Sequence, residues 1–561
     1  MFSFSLEPSK LRRFSINQLL LLTAIFIVAV DNNALFIMLW KALGDNPLNH
    51  LLFAASFVLF VLALTLIVLS LFSFNKTIKP ALIIFILAAS IISYYIDNLH
   101  VVFSVSMLQN IFETNVREAT DLMNAGIFIH LVLFGILPSL LIAYVNIEKK
   151  SATSELLSRL KFLSVLFLVT TLSIIWTSKD YAFVLRENRS IRYLVNPVFP
   201  VVSLYKYIRN NVTTKDRSLV PVFEDAAKLV SVKASAKKDI LVIVVGETAR
   251  AQNFSLNGYA RNTNPLLSQR DIINFKNTSS CGTATAESVP CMFSDLVKDN
   301  FSVADARHRE NLLDGFKHAG FDVLWRDNNS SCKGVCARVE NETLLDLDVK
   351  DLCNDNGCFD EILLYKLDEY VSQLQHDAVI VLHQMGSHGP AYYKRYPERF
   401  AINKPECNDQ SVHNCTHDEI VNSYDNTILY SDYFLSRVID YLQARSESYN
   451  TAMIYMSDHG ESLGENGVYL HGLPYFMAPE EQTHVPFIVW LSDGMKQQRH
   501  IDTQCLKSNS EHAFSHDNLM HSALGLMGVS SAVYESEKDI FSSCHRSGLV
   551  ESPLPQSSGS S

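Results

Sequence analysis

No cysteine occurs in the first 280 residues of this 561-residue chain; all ten lie between Cys281 and Cys544. There is no basic tract either, since 47 Lys and Arg stand against 58 Asp and Glu, for a formal net charge of −11. A nucleic-acid surface needs concentrated positive charge to displace counterions, so the sequence excludes that class of partner. The first apolar run keeps its charged flank and is not followed by a small-residue cleavage site, which argues for a retained anchor rather than a removed signal peptide. No internal repeat is present, which excludes a stacked-repeat architecture.

What the first third does contain is apolar length. Five stretches, approximately 16–40, 51–72, 79–97, 126–145 and 161–177, approach or reach the roughly 20 helical residues that cross a hydrocarbon core. One such stretch would suit a buried core helix, but five in succession read as membrane spans, although Asp31, Asn32 and Asn33 interrupt the first and the fifth is short. Lys10, Arg12 and Arg13, then Lys76 and Lys79, then Lys149, Lys150, Arg159 and Lys161 fall in alternate connections, while the opposite loops hold only Lys41 and Arg117. By the positive-inside rule the amino terminus is cytoplasmic, and an odd number of spans puts everything after residue 177 outside. The cysteines agree, because all ten fall in the exported part and an even number there implies disulfides. Sequence-close couples are Cys281 with Cys291, Cys332 with Cys336, Cys353 with Cys358 and Cys407 with Cys415, leaving Cys505 with Cys544. Spacing alone does not fix connectivity, and the spacing of Cys332 and Cys336 would also suit a cysteine zinc cluster.

The expected organisation is a transmembrane domain of five helices over 1–177, a connector over 178–238, an exported domain over 239–546 and a disordered Ser/Pro-rich tail over 547–561. In the connector, Tyr181–Leu185 and Val201–Ile208 mix aromatic, aliphatic and basic residues, as helices lying in a membrane interface do. The exported part alternates apolar strands with helical segments. Strands are expected at Asp239–Val245, Phe321–Trp325, Ala378–Leu382, Ala452–Met456 and Val485–Trp490, and helices at Asn311–His318, Phe359–Gln373 and Ile420–Leu442. This pattern implies an α/β domain with a mainly parallel sheet.

Two of these strands end in acid: the first runs into Gly246-Glu247-Thr248, the fourth into Ser457-Asp458-His459-Gly460-Glu461. Ligand sites in open α/β sheets lie beyond the carboxyl ends of strands. Glu247, Asp458 and His459 would meet there, a set of hard oxygens and an imidazole that zinc accepts. Each alone could equally be a cap or a surface charge. Between them lies the hydroxyl-rich turn Asn277–Cys291, whose Gly282 permits a tight turn before a helix start. Free N–H groups at a helix start suit phosphate, and a hydroxyl beside a metal can act as nucleophile. Ser279, Ser280, Thr283 and Thr285 all compete for that role.

Gly246-Glu247-Thr248, Ser280-Cys-Gly-Thr-Ala-Thr285, Ser387-His388-Gly389-Pro390 and Ser457-Asp-His-Gly-Glu-Ser462 together resemble the lipid A phosphoethanolamine transferases, a family that includes the mobile colistin-resistance enzymes. The resemblance covers nearly the whole chain. It implies an exported domain of alkaline-phosphatase or sulfatase type, with Thr285 as nucleophile and Thr285, Glu247, Asp458 and His459 as zinc ligands. It places His388 and His471 near the phosphoryl group or a second zinc, and Ser330 and Lys333 near the phosphoethanolamine group. Asn110, Thr114 and Glu118, spaced by four and so on one face of a continuous helix, would serve the substrate. His383 and His484 match nothing assignable.

The activity that the resemblance implies is zinc-dependent transfer of phosphoethanolamine from phosphatidylethanolamine to a lipid A phosphate through a phosphothreonine, conferring polymyxin and colistin resistance. The enzyme is expected to act as a monomer in the bacterial inner membrane, with its catalytic domain in the periplasm. Rival readings are a transferase acting on core sugar or another glycan, a phosphoglycerol transferase, and a sulfatase. Thr285 argues against the last, because sulfatases need a modifiable Cys or Ser at that position. A non-catalytic protein with structural zinc is disfavoured, since such sites are closed by four Cys or His ligands.

Overall fold

The computed structural model describes residues 13–44, 50–74, 76–114, 116–148, 150–214, 217–229 and 237–545. The expected tail, Lys10, Arg12, Lys149 and residues 233–236 lie outside these, as do the side chains of Arg117 and Glu118. The chain folds into two compact units. One comprises residues 1–215 with the excursions 409–417 and 462–478; the other comprises 216–408, 418–461 and 479–561.

The first unit is helical: α1 (Ile16–Val30), α2 (Asn33–Ala42), α3 (Leu51–Phe72), α4 (Ile78–Leu99), α5 (Val105–Glu113), α6 (Val116–Asp121), α7 (Ala125–Tyr144), α8 (Ala152–Trp176), α9 (Ser178–Glu187) and α10 (Val198–Thr214). Among the described residues, α3, α4, α7 and α8 are each long and apolar enough to cross a bilayer, and α1 with α2 makes a fifth span bent by 62°. The bend sits at the polar trio read from the sequence. Asn32 Nδ2 donates to Ile27 O, so its side chain competes for a carbonyl of α1, and it also donates to Asn196 O. The fifth apolar stretch starts its helix nine residues earlier than expected, because Ser151 caps it and Glu155 pairs with Arg159 one turn on. Arg159 also donates to the carbonyls of Ser70 and Ser73, covering the C-terminal end of α3.

The second unit is built on a seven-stranded sheet. Its strands are β1 (Lys238–Gly246), β2 (Ile272–Phe275), β3 (Asp322–Asp327), β4 (Glu340–Thr343), β5 (Ala378–His383), β6 (Tyr449–Ser457) and β7 (Phe487–Leu491), in the order β2-β7-β6-β1-β5-β3-β4. From β6 to β4 every neighbouring pair is parallel; β7 runs antiparallel to β6, and β2 antiparallel to β7. The central strands are buried on both faces, which explains their unbroken apolar runs rather than an alternating pattern. Ile240 to Val245 are each no more than 1% exposed, and burying such a side chain contributes about 1.5–3 kcal/mol.

Of the expected helices, Leu312–His318 forms with Asn311 as its cap. Phe359–Gln373 instead splits into a 3-10 turn (Asp360–Leu364) and a short helix (Leu367–Val371), because Lys366 between them is left-handed. The long helix His417–Gln443 covers the expected Ile420–Leu442. Disulfides join Cys281–Cys291, Cys332–Cys336, Cys353–Cys358 and Cys505–Cys544, and Cys407 and Cys415 are also disulfide-bonded. The Cys332–Cys336 bridge removes the cysteine zinc cluster as a reading.

Candidate metal centre and nucleophile

β1 and β6 are parallel neighbours in register, with Gly246 opposite Ser457. The residues just beyond them therefore emerge side by side: Glu247 from one strand, Asp458 and His459 from the other. One ligand atom from each of the three lies within 4.8 Å of the others, and all three side chains are fully buried. His459 Nε2 is 3.5 Å from Glu247 Oε1 and 3.4 Å from Asp458 Oδ2.

The backbone around these residues is tightly held. Thr248 takes a left-handed conformation (φ 57°) and donates its N–H to Asp458 Oδ1 at 3.1 Å, while Tyr424 OH donates to its carbonyl at 2.8 Å. Asp458 N donates to Gly246 O, and Ser457 Oγ accepts from Ala249 N and donates to His459 O. The loop after β5 closes in from the other side, with Ser387 N donating to Glu247 O at 3.0 Å. A Cβ on Gly386 would stand 2.6 Å from that same carbonyl, so the approach requires glycine.

Thr285 completes the group. It is the first residue of helix α11 (Thr285–Met292), behind Ala284 in extended conformation. Its hydroxyl donates to Glu247 Oε2 at 3.1 Å and Oε1 at 3.3 Å, and lies 3.4 Å from His459 Nε2. The competing hydroxyls of the two serines are engaged elsewhere. Ser280 Oγ donates to Gly282 O, and Ser279 Oγ donates to Phe514 O.

The electrostatics of the group call for a cation. Burial, together with the neighbouring Glu247, pushes Asp458 up to about 7. For His459 burial lowers the pKa, but Asp458 and Glu247 outweigh it and the imidazole is raised. Asp458 Oδ2 is buried with no hydrogen-bond partner. Two carboxylates, an imidazole and a hydroxyl converging with a spare carboxylate oxygen fit a divalent ion with an open position, as catalytic zinc has.

Three residues not singled out from the sequence belong here. Asn329 Nδ2 donates to Glu247 Oε2 at 2.7 Å and to Gln384 O at 2.9 Å, tying the Ser330–Lys333 loop to the centre. In that loop Lys333 Nζ donates to Ser330 Oγ at 2.7 Å, on a left-handed backbone (Lys333 φ 52°). Glu461 is buried and raised to about 8, chiefly by burial, and accepts from Tyr392 OH at 3.1 Å. Asp360 is buried too, and accepts from the backbone N–H of Met385 and Gly386 at 2.8 and 3.0 Å, shaping the loop that carries His388. His388, in that loop, lies near enough to Glu461 that its protonated form would lower that carboxyl's pKa. His383, left unassigned by the sequence, is buried at the end of β5 with Nδ1 3.3 Å from Asp327 Oδ2.

His471, Asn110, Thr114 and Glu118 belong to the first unit. His471 is half-buried and comes directly after the short strand Tyr469–Leu470. The single helical face expected through Asn110, Thr114 and Glu118 does not form. Helix α5 ends at Glu113, Thr114 is extended, and its hydroxyl donates back to Asn110 O at 2.6 Å, closing the helix before Glu118.

A family model for sulfatases matches residues 239–529, so strand-end acids beside a helix-borne hydroxyl place the second unit in the sulfatase class of enzymes. A model for phosphoethanolamine transferases EptA/EptB matches residues 61–212. The chain is 39% identical over 543 residues to phosphoethanolamine transferase EptA of Escherichia coli K12, covering 96% of this chain and 98% of that one. It is 39% identical over 480 residues to phosphatidylethanolamine transferase Mcr-1 of Escherichia coli, covering 83% and 88%. The solved integral membrane lipooligosaccharide phosphoethanolamine transferase A of Neisseria meningitidis superposes with a TM-score of 0.91 at 34% identity, covering 95% of this chain and 100% of that one. The chain belongs to the phosphoethanolamine transferase family. It is a multi-pass protein of the bacterial inner membrane whose catalytic domain lies in the periplasm.

Proposed function

We propose that this enzyme moves phosphoethanolamine from phosphatidylethanolamine to a phosphate of lipid A, through a covalent phosphothreonine at Thr285 and with zinc at the centre. The observation that carries the reading is the Thr285 hydroxyl, set at a helix start and donating to a buried Glu247 that shares its pocket with Asp458 and His459. Glu247, Asp458, His459 and Thr285 would hold the ion, which when bound supplies Lewis-acid stabilisation of phosphoryl charge and acidifies the nucleophile.

In the first step Thr285 Oγ1 bonds to the phosphorus of the donor while the bond from phosphorus to the glycerol oxygen breaks. Diacylglycerol leaves, and the proton lost by the threonine balances the one its new hydroxyl gains. In the second step an oxygen of the acceptor phosphate bonds to the same phosphorus while the bond from phosphorus to Thr285 Oγ1 breaks, and the proton given up by the acceptor phosphate restores the threonine hydroxyl. The start of α11 at Thr285 would turn the positive end of the helix dipole towards the phosphoryl oxygens. Lys333 and Ser330, tethered through Asn329, serve the phosphoethanolamine group. His388 serves the phosphoryl group or a second zinc. The similarity to a solved lipooligosaccharide phosphoethanolamine transferase supports a lipid A-bearing acceptor, and the name of phosphatidylethanolamine transferase Mcr-1 supports the donor; the Kdo(2)-lipid A phosphoethanolamine 7''-transferase of Escherichia coli K12 is less similar, at 28% identity. Adding an ammonium group to lipid A lowers its negative charge and weakens its attraction for cationic polymyxins, which is the basis expected for colistin resistance.

Intact-mass measurement after incubation with donor alone is expected to show wild type carrying one phosphoethanolamine and Thr285→Ala carrying none. Full transferase activity in Thr285→Ala would rule out the covalent route. Glu247→Ala and Asp458→Ala are expected to lose bound zinc and activity together, and unchanged zinc by elemental analysis would count against the ligand assignment.

A further inference from the structure

Thr285 and His459 reach the centre from positions 174 residues apart, so their alignment depends on contacts between their backbones. His516 makes such a contact and has no part in the chemistry above. It is 1% exposed. Its Nδ1 accepts from Cys281 N–H at 3.1 Å, in the turn that leads to Thr285. Its Nε2 lies 2.9 Å from Ser457 O, the last carbonyl of the strand that presents Asp458 and His459. An amide can only donate and a carbonyl only accept, so the two partners fix one neutral tautomer, with the proton on Nε2. Burial, with Lys298 and His459 nearby, keeps the imidazole down to about 3, in line with that neutral form.

The segment around it grips the nucleophile turn as well. Strand Ala513–Ser515 pairs in parallel with Asn277–Ser279, His516 N donates to Ser279 O at 3.1 Å, and Asp517 Oδ1 accepts from Lys298 N at 3.0 Å. Lys298 Nζ in turn donates to Ser280 O at 3.3 Å. Both ring nitrogens of His516 are committed to backbone partners, which leaves no lone pair for a metal or a substrate.

We propose that His516 is a positioning residue for the transfer reaction, its imidazole bridging the nucleophile turn to the end of the ligand strand and so fixing Thr285 Oγ1 against Asp458 and His459. The inference rests on Thr285 being the nucleophile. Small misplacement of a reacting group is felt in the chemical step more than in substrate binding.

The test uses the full-length protein in detergent micelles with a fluorescent phosphatidylethanolamine donor, measuring kcat, KM, melting temperature and bound zinc. His516→Leu removes both bonds and is expected to lower kcat by roughly 30- to 100-fold, the scale of a misplaced reacting group, with KM and zinc content unchanged. His516→Gln can replace only the Nε2 bond and His516→Asn only the Nδ1 bond, so each is expected to recover part of the loss. If His516→Leu does not accumulate as folded protein, the same comparison is read from the two amide variants, each with kcat below wild type at unchanged KM. Wild-type kcat in these variants, a change confined to KM, or a loss that tracks zinc content would overturn the proposal. Thr285→Ala run alongside separates the two claims, because turnover there would remove the nucleophile assignment whatever His516 does.

Discussion

Glu247 shows how one buried carboxylate is held by parts of the chain far apart in sequence. Its backbone carbonyl accepts from Ser387 and its side chain accepts from Thr285 and Asn329. Groups that orient a metal ligand in this way are commonly worth 10- to 100-fold in activity or metal affinity. Asn329→Ala is therefore expected to lower kcat by about 10-fold while the fold is retained; steady-state kinetics with circular dichroism checks both, and wild-type kcat would remove Asn329 from the centre. At this scale the sequence exposes the ligands but not their supports. Glu247, Asp458 and His459 are legible because each comes just after a buried strand, and a strand end is a local feature. Which of four hydroxyls reaches Glu247 is not local: it depends on the chain entering α11 at Thr285 while Ser280 turns back to Gly282. Asn329, Tyr392 and His516 meet the site only through tertiary contacts, and no spacing announces them.

Secondary-structure elements fare differently according to how their burial is distributed. β1, β5 and β6 are apolar on both faces and are readable as strands from sequence, as are the long apolar spans of the first unit. The α5–α6 break is not, because it arises from the Thr114 hydroxyl returning to Asn110 O rather than from any Pro or Gly. The helix Asp517–Met527 carries a pH-dependent contribution to stability. His521 Nδ1 accepts from Glu535 N at 3.0 Å, and burial, then Lys538, lowers its pKa from 6.5 to about 4. A histidine held neutral in the fold binds a proton in the unfolded chain first. The stability it contributes is thus fully present above about 6.5 and is lost as pH falls from there towards about 4. His521→Asn is expected to have a shallower fall of melting temperature than wild type across that window, and parallel curves by calorimetry would contradict it.

The whole molecule joins membrane-spanning helices to a sulfatase-type domain in one chain, an arrangement that suits substrates confined to a bilayer surface. Alternating basic loops, confinement of cysteines to the exported part and strand–helix alternation show this division in the sequence, because each reflects solvent or compartment rather than detailed packing. The grouping of 409–417 and 462–478 with the helical unit is not visible in that way, since these segments lie inside the sequence of the catalytic domain. Transfer of phosphoethanolamine onto lipid A is the reaction that would join the two units in a single purpose. Mass spectrometry of lipid A from cells expressing the wild-type protein or Thr285→Ala, beside cells lacking it, reads that transfer without an intermediate assay. A phosphoethanolamine increment on lipid A is expected in the wild type alone. Unmodified lipid A with phosphoethanolamine on core sugar, or an equal increment with Thr285→Ala, would contradict it.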